Sequence, residues 1–210
     1  MPPEASTLPI AAPELVRVAT LLEFGIDAAG CIASARWSDP ADLPRLCVVR
    51  HANGYTVYPA RGLPEDVGRR IARSPPGDLF EGQGLDAVFG GRSPNGIVTL
   101  VHSFFPGGDA PEGPPGVTRH GGHFVDMVEG RPVSWAWTVR EHARAASVAV
   151  ETVAGFRRQG RGSRVLRSWV ADVYRRGKLP LESHAAEDAG VEALVVGVGA
   201  IAYARSVRYR

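Results

Sequence analysis

The stretch from Val148 to Ser163, Val-Ala-Val-Glu-Thr-Val-Ala-Gly-Phe-Arg-Arg-Gln-Gly-Arg-Gly-Ser, limits the possible folds more than any other part of the chain. A β-rich run ends at Val153, and a turn containing Gly160 and Gly162 follows. The next apolar positions, Val165, Leu166, Trp169, Val170, Val173 and Tyr174, then step along one face of a helix that Gly177 closes. Strand, glycine turn and helix in that order expose backbone N–H groups at a helix N-terminus, where the helix dipole also favours negative charge. The result is an anion site suited to a pyrophosphate. Glycine permits positive φ there and lets a ligand approach the main chain with no Cβ in the way.

Other elements can be placed around this segment. Pro13 and the spacing of Leu15, Val18 and Leu22 predict a helix over residues 12–24. Leu46 to Val49 and Tyr55 to Tyr58 flank Asn53-Gly54, which predicts a β-hairpin, and Pro64 to Ala72 predicts a second helix. The Pro- and Gly-rich run 106–122 reads as a connecting loop without regular structure. After it, the order β-β-β-α-β-α-β is expected. It comprises a hairpin of His123 to Val128 with Val133 to Val139 around Glu129-Gly130, a strand Ser147 to Val153, the helix, a strand Leu179 to Ser183, a helix Glu187 to Val196, and a last strand Ile201 to Val207.

Two other nucleotide motifs fail on side chains. Gly155 to Gly160 has P-loop spacing, but Arg161 and Gly162 stand where Lys and Ser/Thr are needed. Gly197-Val-Gly199-Ala-Ile-Ala202 lies too near the end at Arg210 for a dinucleotide-binding βαβ unit. The pattern Arg157-x-x-Gly160-x-Gly162, with Phe156 before it and the strand and helix around it, resembles the acetyl-CoA signature of the GCN5-related N-acetyltransferases (GNAT). The resemblance covers about residues 123–207.

That resemblance implies an α/β fold with a mixed, mostly antiparallel sheet. It implies an acyl-CoA-binding core over 123–210, and an N-terminal α/β region, 1–105, that covers or shapes the acceptor site. The turn Arg157, Arg158, Gln159, Gly160, Arg161, Gly162 and Ser163 would hold the CoA pyrophosphate, and the strand around Thr152 and Val153 the pantetheine arm. Asp188 stands where the family often has Asn. An amine of a small molecule or a protein would attack the acetyl-CoA thioester directly, with no metal. Because a free alkylamine has a pKa near about 10.4, a base must take its proton. Glu151 and Glu141 are the candidates, with His142 third. The family's tyrosine proton donor has no counterpart between His184 and Ala202, and Val195 to Gly199 is unusually glycine-rich for the end of that helix. An acyl-CoA-binding sensor without turnover is therefore the rival reading.

Composition argues against other classes. Apolar residues at 44% and charged residues at 22% match an ordinary globular domain. No apolar run approaches the roughly 20 residues of a membrane span. Residues 1–10 carry Glu4 and prolines instead of a signal-peptide pattern, so a cytoplasmic protein is expected. Cys31 and Cys47 read as reduced thiols. The net charge is +2, and Arg158, Arg161, Arg164, Arg167, Arg175 and Arg176 read as a solvated helix face, so no nucleic-acid partner is expected. His102, His120 and His123 read as loop histidines, and Trp135 and Trp137 as one sheet face packed in the core.

Overall fold

The computed structural model describes residues 11–36, 43–91, 96–107 and 114–210. The chain divides into two units, Met1–His102 with Tyr203–Arg210, and Ser103–Ala202.

In the first unit, α1 (Ala12–Glu23) has Pro13 in its first turn and buries Leu15, Val16, Val18 and Leu22. It runs into a short antiparallel pair, β1 (Phe24–Ile26) and β2 (Ile32–Ala35). The Asp27 carboxylate accepts from the N–H of Ala29 and Cys31 and so shapes the turn between them. The predicted hairpin is present as β3 (Leu46–His51) and β4 (Gly54–Pro59). Three helices follow, α2 (Glu65–Arg73), α3 (Pro76–Phe80) and α4 (Leu85–Phe89). The strand order is β4-β3-β11-β5, with β5 spanning Ile97–Phe104 and β11 Ile201–Tyr209. Leu46, Val48, Leu79, Phe89, Val207 and Tyr209 belong to one apolar core. Cys47 and Cys31 are free thiols, and burial pushes the Cys47 thiol up to about 11.

The second unit has the strand order β10-β9-β8-β7-β6. β6 (Val117–His120), β7 (His123–Val128), β8 (Arg131–Glu141) and β9 (Ala145–Thr152) are successive antiparallel neighbours. A single 3₁₀ turn, Ala154–Phe156, leads to α5 (Arg161–Arg175), after which β10 (Leu179–Ala185) returns parallel to β9. α6 (Ala189–Gly197) precedes β11. The mixed, mostly antiparallel sheet expected from sequence is found. α5 packs Val165, Leu166, Trp169 and Val173 onto Phe124, Ala136 and Ala146, the centre of this unit's core.

The expected loop 106–122 needs correction, because its last residues are a strand. Val117 to His120 pairs with β7 across Gly121-Gly122, both at positive φ, which makes a tight hairpin. Residues 108–113 of that stretch lie outside the described residues. The division of the chain also differs from the expected boundaries, since Tyr203–Arg210 groups with the first unit instead of continuing the 123–210 core.

Trp169 is fully buried, and its Nε1 donates to Thr138 Oγ1 at 2.9 Å. Trp169→Ala is expected to lower stability by about 3–5 kcal/mol. Trp169→Phe, which keeps most of the ring but leaves Thr138 without its donor, is expected to lower it by about 1 kcal/mol. Urea unfolding of both variants checks this, and equal losses would contradict the assignment.

Candidate functional site

β9 and β10 pair at three positions only, Leu179 with Ala145, Pro180 with Ala146 and Leu181 with Ser147. β9 then continues to Thr152, bonded to β8 on its other side, while β10 continues to Ala185. The two parallel strands therefore form a fork. Among the described residues, the edge of Val148 to Thr152 that faces away from β8 has no strand partner. Unpaired main-chain groups on a strand edge are a template for another extended chain.

A cleft of 820 Å³ opens beside this edge, bounded by the end of β9, the 3₁₀ turn, the first turn of α5 and the first half of α6. Gly160 is the N-cap of α5 in the left-handed conformation, at φ 74°, and no side chain caps the helix. Its carbonyl accepts the first helical bond, from the N–H of Arg164 at 3.1 Å. The N–H groups of Arg161, Gly162 and Ser163, all cleft-lining residues, find no acceptor among the described residues. Gly162 is closely approached as well: a Cβ there would lie 3.3 Å from Thr152 Oγ1 and 3.4 Å from Leu194 Cδ1, so the Thr152 side chain would have to give by a few tenths of an ångström. Glycine fits between β9 and α6 without that shift.

The cleft end of β9 is fixed by hydroxyls. Ser134, fully buried on β8, donates to the Glu151 carbonyl at 3.0 Å. Its only proton is spent there, so the 2.8 Å contact with Thr152 must have Thr152 Oγ1 as donor.

The turn itself is held from behind by Asp126, a residue that sequence reasoning passed over. This β7 carboxylate is 2% exposed, and it lies 3.1 Å from Arg161 and 3.4 Å from Arg164. Arg161 also donates to Gln159 Oε1 at 3.3 Å, Gln159 donates to the Gly155 carbonyl at 3.2 Å, and the Arg161 guanidinium lies over the Phe156 ring. Arg157 donates to the Thr152 carbonyl at 3.1 Å. The turn is thus braced at both ends. One charge inside the otherwise apolar Phe124-Val-Asp-Met-Val was the available sequence signal.

The structure brings most of the sequence candidates together. Glu151, Thr152, Val153, Arg157, Arg158, Gly160, Arg161, Gly162, Ser163 and Asp188 all line the cleft. Gln159 does not; it acts within the turn. Asp188 caps α6, accepting from the Val191 N–H at 3.0 Å, which takes up part of its carboxylate. Glu141 is not brought to the cleft. It accepts from Lys178 at 2.6 Å and from Arg176, and the Lys178 hydrogen bond chiefly holds its carboxyl below the usual range. His142, on the chain just beyond β8, is likewise not among the cleft residues.

Three expectations about surrounding residues are corrected. The arginines are a solvated face only in part: Arg158, Arg167, Arg175 and Arg176 are exposed, but Arg161 and Arg164 are half-buried against Asp126, Arg175 and Arg176 meet buried Asp172, and Arg167 donates to the Gly197 carbonyl at the end of α6. Two buried carboxylates with few other partners draw them in. The histidines lie in strands. His120 faces His123 across the β6–β7 hairpin, and buried His102 contacts Ser206 Oγ at 2.8 Å through Nε2. Trp135 and Trp137 are half-buried on the face of β8 away from α5, since Ala136 between them takes the core side. Trp135 lines the cleft and Trp137 stacks on His123, with ring centroids 5.6 Å apart. Among the described residues no cluster of three potential metal ligands occurs, and no helix is long and apolar enough to cross a membrane.

No protein-family model matches the sequence, and no curated protein matches it. Solved structures do show similarity. One is a GNAT-family protein from Novosphingobium aromaticivorans, with a TM-score of 0.49 and 18% identity over 55% of this chain and 65% of that one. A GCN5-related N-acetyltransferase-like protein from Streptococcus suis has a TM-score of 0.43 and 14% identity over 95% and 99% of the two chains. A GCN5-related N-acetyltransferase from Kribbella flavida has a TM-score of 0.42 and 18% identity over 84% and 90%. The likeness is to GNAT proteins. This chain spans about two thirds of the first of them. At these TM-scores the GNAT likeness decides nothing about chemistry, which has to follow from the cleft's own residues.

Arg158 has φ 58°, a conformation that disfavours side chains with a Cβ, whereas glycine adopts it freely. Arg158→Gly is expected to raise stability by up to about 1 kcal/mol, and Asp126→Ala to lower it by about 3 kcal/mol by leaving Arg161 without its buried partner. Thermal and urea unfolding check both signs; a neutral Asp126→Ala would show that the brace carries no energy.

Proposed function

We propose that the chain is an N-acetyltransferase that moves an acetyl group from acetyl-CoA to an amine of a small molecule or a protein by direct attack. One observation carries this reading: the open edge of β9 leads along the cleft to the unpaired N–H groups at the start of α5. An acyl-pantetheine arm is an extended, amide-bearing chain that ends in a pyrophosphate. The edge of Val148 to Thr152 offers main-chain donors and acceptors for the amides, and Gly160 to Ser163 offers donors for the pyrophosphate. The Arg-x-x-Gly-x-Gly pattern at Arg157 to Gly162 supports the same assignment.

The chain's own residues have distinct roles in this scheme. Ser134 and Thr152 hold the cleft end of β9 in place. Asp126, through Arg161, holds the turn so that main-chain N–H groups, not a mobile guanidinium, meet the phosphates. Glu151 is exposed, lines the cleft and is the cross-strand neighbour of Trp135, which suits it to take the proton from an incoming amine. Glu141, tied to two cations outside the cleft, is set aside as the base. Asp188 caps the helix forming the opposite wall. The absence of a tyrosine on α6 favours a second reading, an acyl-CoA sensor that binds without turnover.

A Cβ at Gly160 would meet nothing within 4 Å, and Asn and Asp are the side chains that best tolerate its left-handed backbone. Calorimetric titration of acetyl-CoA should therefore show Gly160→Asn binding within a few-fold of wild type. Gly160→Asp, which adds a carboxylate where the pyrophosphate sits, should bind at least about tenfold more weakly, a difference of 1.4 kcal/mol. A wild type that binds no acetyl-CoA would sink the proposal. Release of free thiol in the presence of amines separates the enzyme from the sensor.

A further inference from the structure

A second open strand edge lies near the C-terminal end of α5. β7 begins at His123, in register with Trp137, whereas β8 runs on to Glu141. Thr138, Arg140 and Glu141 pair with β9 on one side, and among the described residues no strand meets their other side. Where β7 would run if it were longer, the surface forms a groove of 260 Å³. The Gly121-Gly122 turn, His123, Trp137, Thr138 and Glu141 line it.

The two walls of this groove differ in chemistry. On the α5 side stand Arg119, Arg176 and the buried Asp172. Asp172 Oδ1 lies 3.5 Å from Arg119 and 3.4 Å from Arg175, and its Oδ2 lies 3.0 Å from Arg176. Glu141 accepts from Arg176 and, at 2.6 Å, from Lys178. Among the described residues four cations thus share two carboxylates, which leaves two positive charges in excess. Arg119 is exposed, and a guanidinium has five N–H donors, so most of its donors remain open to a ligand. On the other side stand the Trp137 and His123 rings, 5.6 Å apart, on the face of β8 turned away from α5.

An extended chain entering the groove as a further strand would point successive side chains at opposite walls. Its main chain would meet the open edge of β8, and its side chains would meet surplus positive charge on one wall and aromatic rings on the other. Charges along an open edge discourage indiscriminate strand pairing, so complementary charge decides which chain is accepted. The excess charge is confined to one wall of a short groove, and the edge offers main-chain donors and acceptors. Both features match a peptide better than a nucleic-acid backbone.

We propose that this groove docks an extended segment of a partner protein in which acidic and aromatic residues alternate. The segment pairs main chain to main chain with Thr138 to Glu141, its acids meet Arg119 and Arg176, and its aromatic residues meet Trp137. At about 3.3 Å per residue, the edge holds about four residues of the partner. The docking is independent of acetyl transfer, since no residue that lines the cleft also lines the groove.

Fluorescence anisotropy with the full chain and a fluorescein-labelled peptide of three Glu-Tyr repeats tests the docking. The wild type should bind this peptide with a Kd below about 100 μM. Two further peptides separate the parts of the recognition. A Lys-Tyr peptide reverses the charge, and a Glu-Tyr peptide N-methylated at every peptide bond keeps the charge but cannot donate to the edge. Each should bind at least about tenfold more weakly. Arg119→Glu leaves Asp172 with Arg175 and Arg176; it should weaken the Glu-Tyr peptide about tenfold and strengthen the Lys-Tyr peptide. Thermal unfolding checks that this variant is folded, and if it is not, the three peptides on the wild type decide. No binding of the Glu-Tyr peptide at about 1 mM, equal binding of its N-methylated form, or a folded Arg119→Glu that binds it unchanged would overturn the docking. A single-stranded oligonucleotide of equal charge that binds more tightly than the peptide would also overturn it, by assigning the groove to nucleic acid.

Discussion

The ion pair between Asp126 and Arg161 connects the interior of the second unit to its surface site. Glycine alone would leave the turn from Arg157 to Ser163 free to take many shapes, and a loop that must order itself on binding gives up affinity. A buried carboxylate in the middle of β7 removes that freedom. It holds Arg161 and Arg164 in the first turn of α5, and Arg161 in turn holds Gln159 and covers Phe156. The left-handed residues Arg158 and Gly160 then keep a fixed relation to the helix start. Once the helix start is fixed, Gly162 can lie against Thr152 and Leu194, and the walls of the cleft follow.

A second constraint comes from the sheet. Parallel strands joined through a helix need not stay paired along their whole length, and β9 and β10 separate after three paired positions. The core under α5 is filled on the paired side by Ala136, Ala146 and Trp169. Past the root of the fork the strands diverge, and polar residues such as Glu182 and His184 take over on β10. The site is therefore a departure from sheet regularity that the neighbouring core is rigid enough to sustain.

The strand, turn and helix around Gly160 were legible because each has a local cause: alternation before the turn, glycine within it and helical periodicity after it. The hairpin at Asn53-Gly54 was legible for the same reason. What stayed hidden depends on contacts far apart in sequence. Val117 to His120 looked like loop because its strand character comes from its partner β7 and not from its own composition. Asp126 and Arg161 are distant in sequence, and no local pattern pairs them. Trp135 and Trp137 were placed on a common face correctly, but which face meets the core is decided by α5, and the core takes Ala136. Glu141 and Glu151 both looked like candidate bases, and only the fold puts one beside the cleft and the other between Arg176 and Lys178.

The open edge of β9 has a consequence for how such a site ages. A groove that recognises its ligand through backbone amides and carbonyls reads the path of the chain, not the identity of its side chains. Val148, Ala149 and Val150 can exchange for other strand-forming residues while the donors and acceptors stay where they are. The path is set at a few positions, the glycines of the turn and the brace at Asp126. Sequences sharing such a groove can diverge until little more than a short glycine pattern is held in common, with the binding surface unchanged.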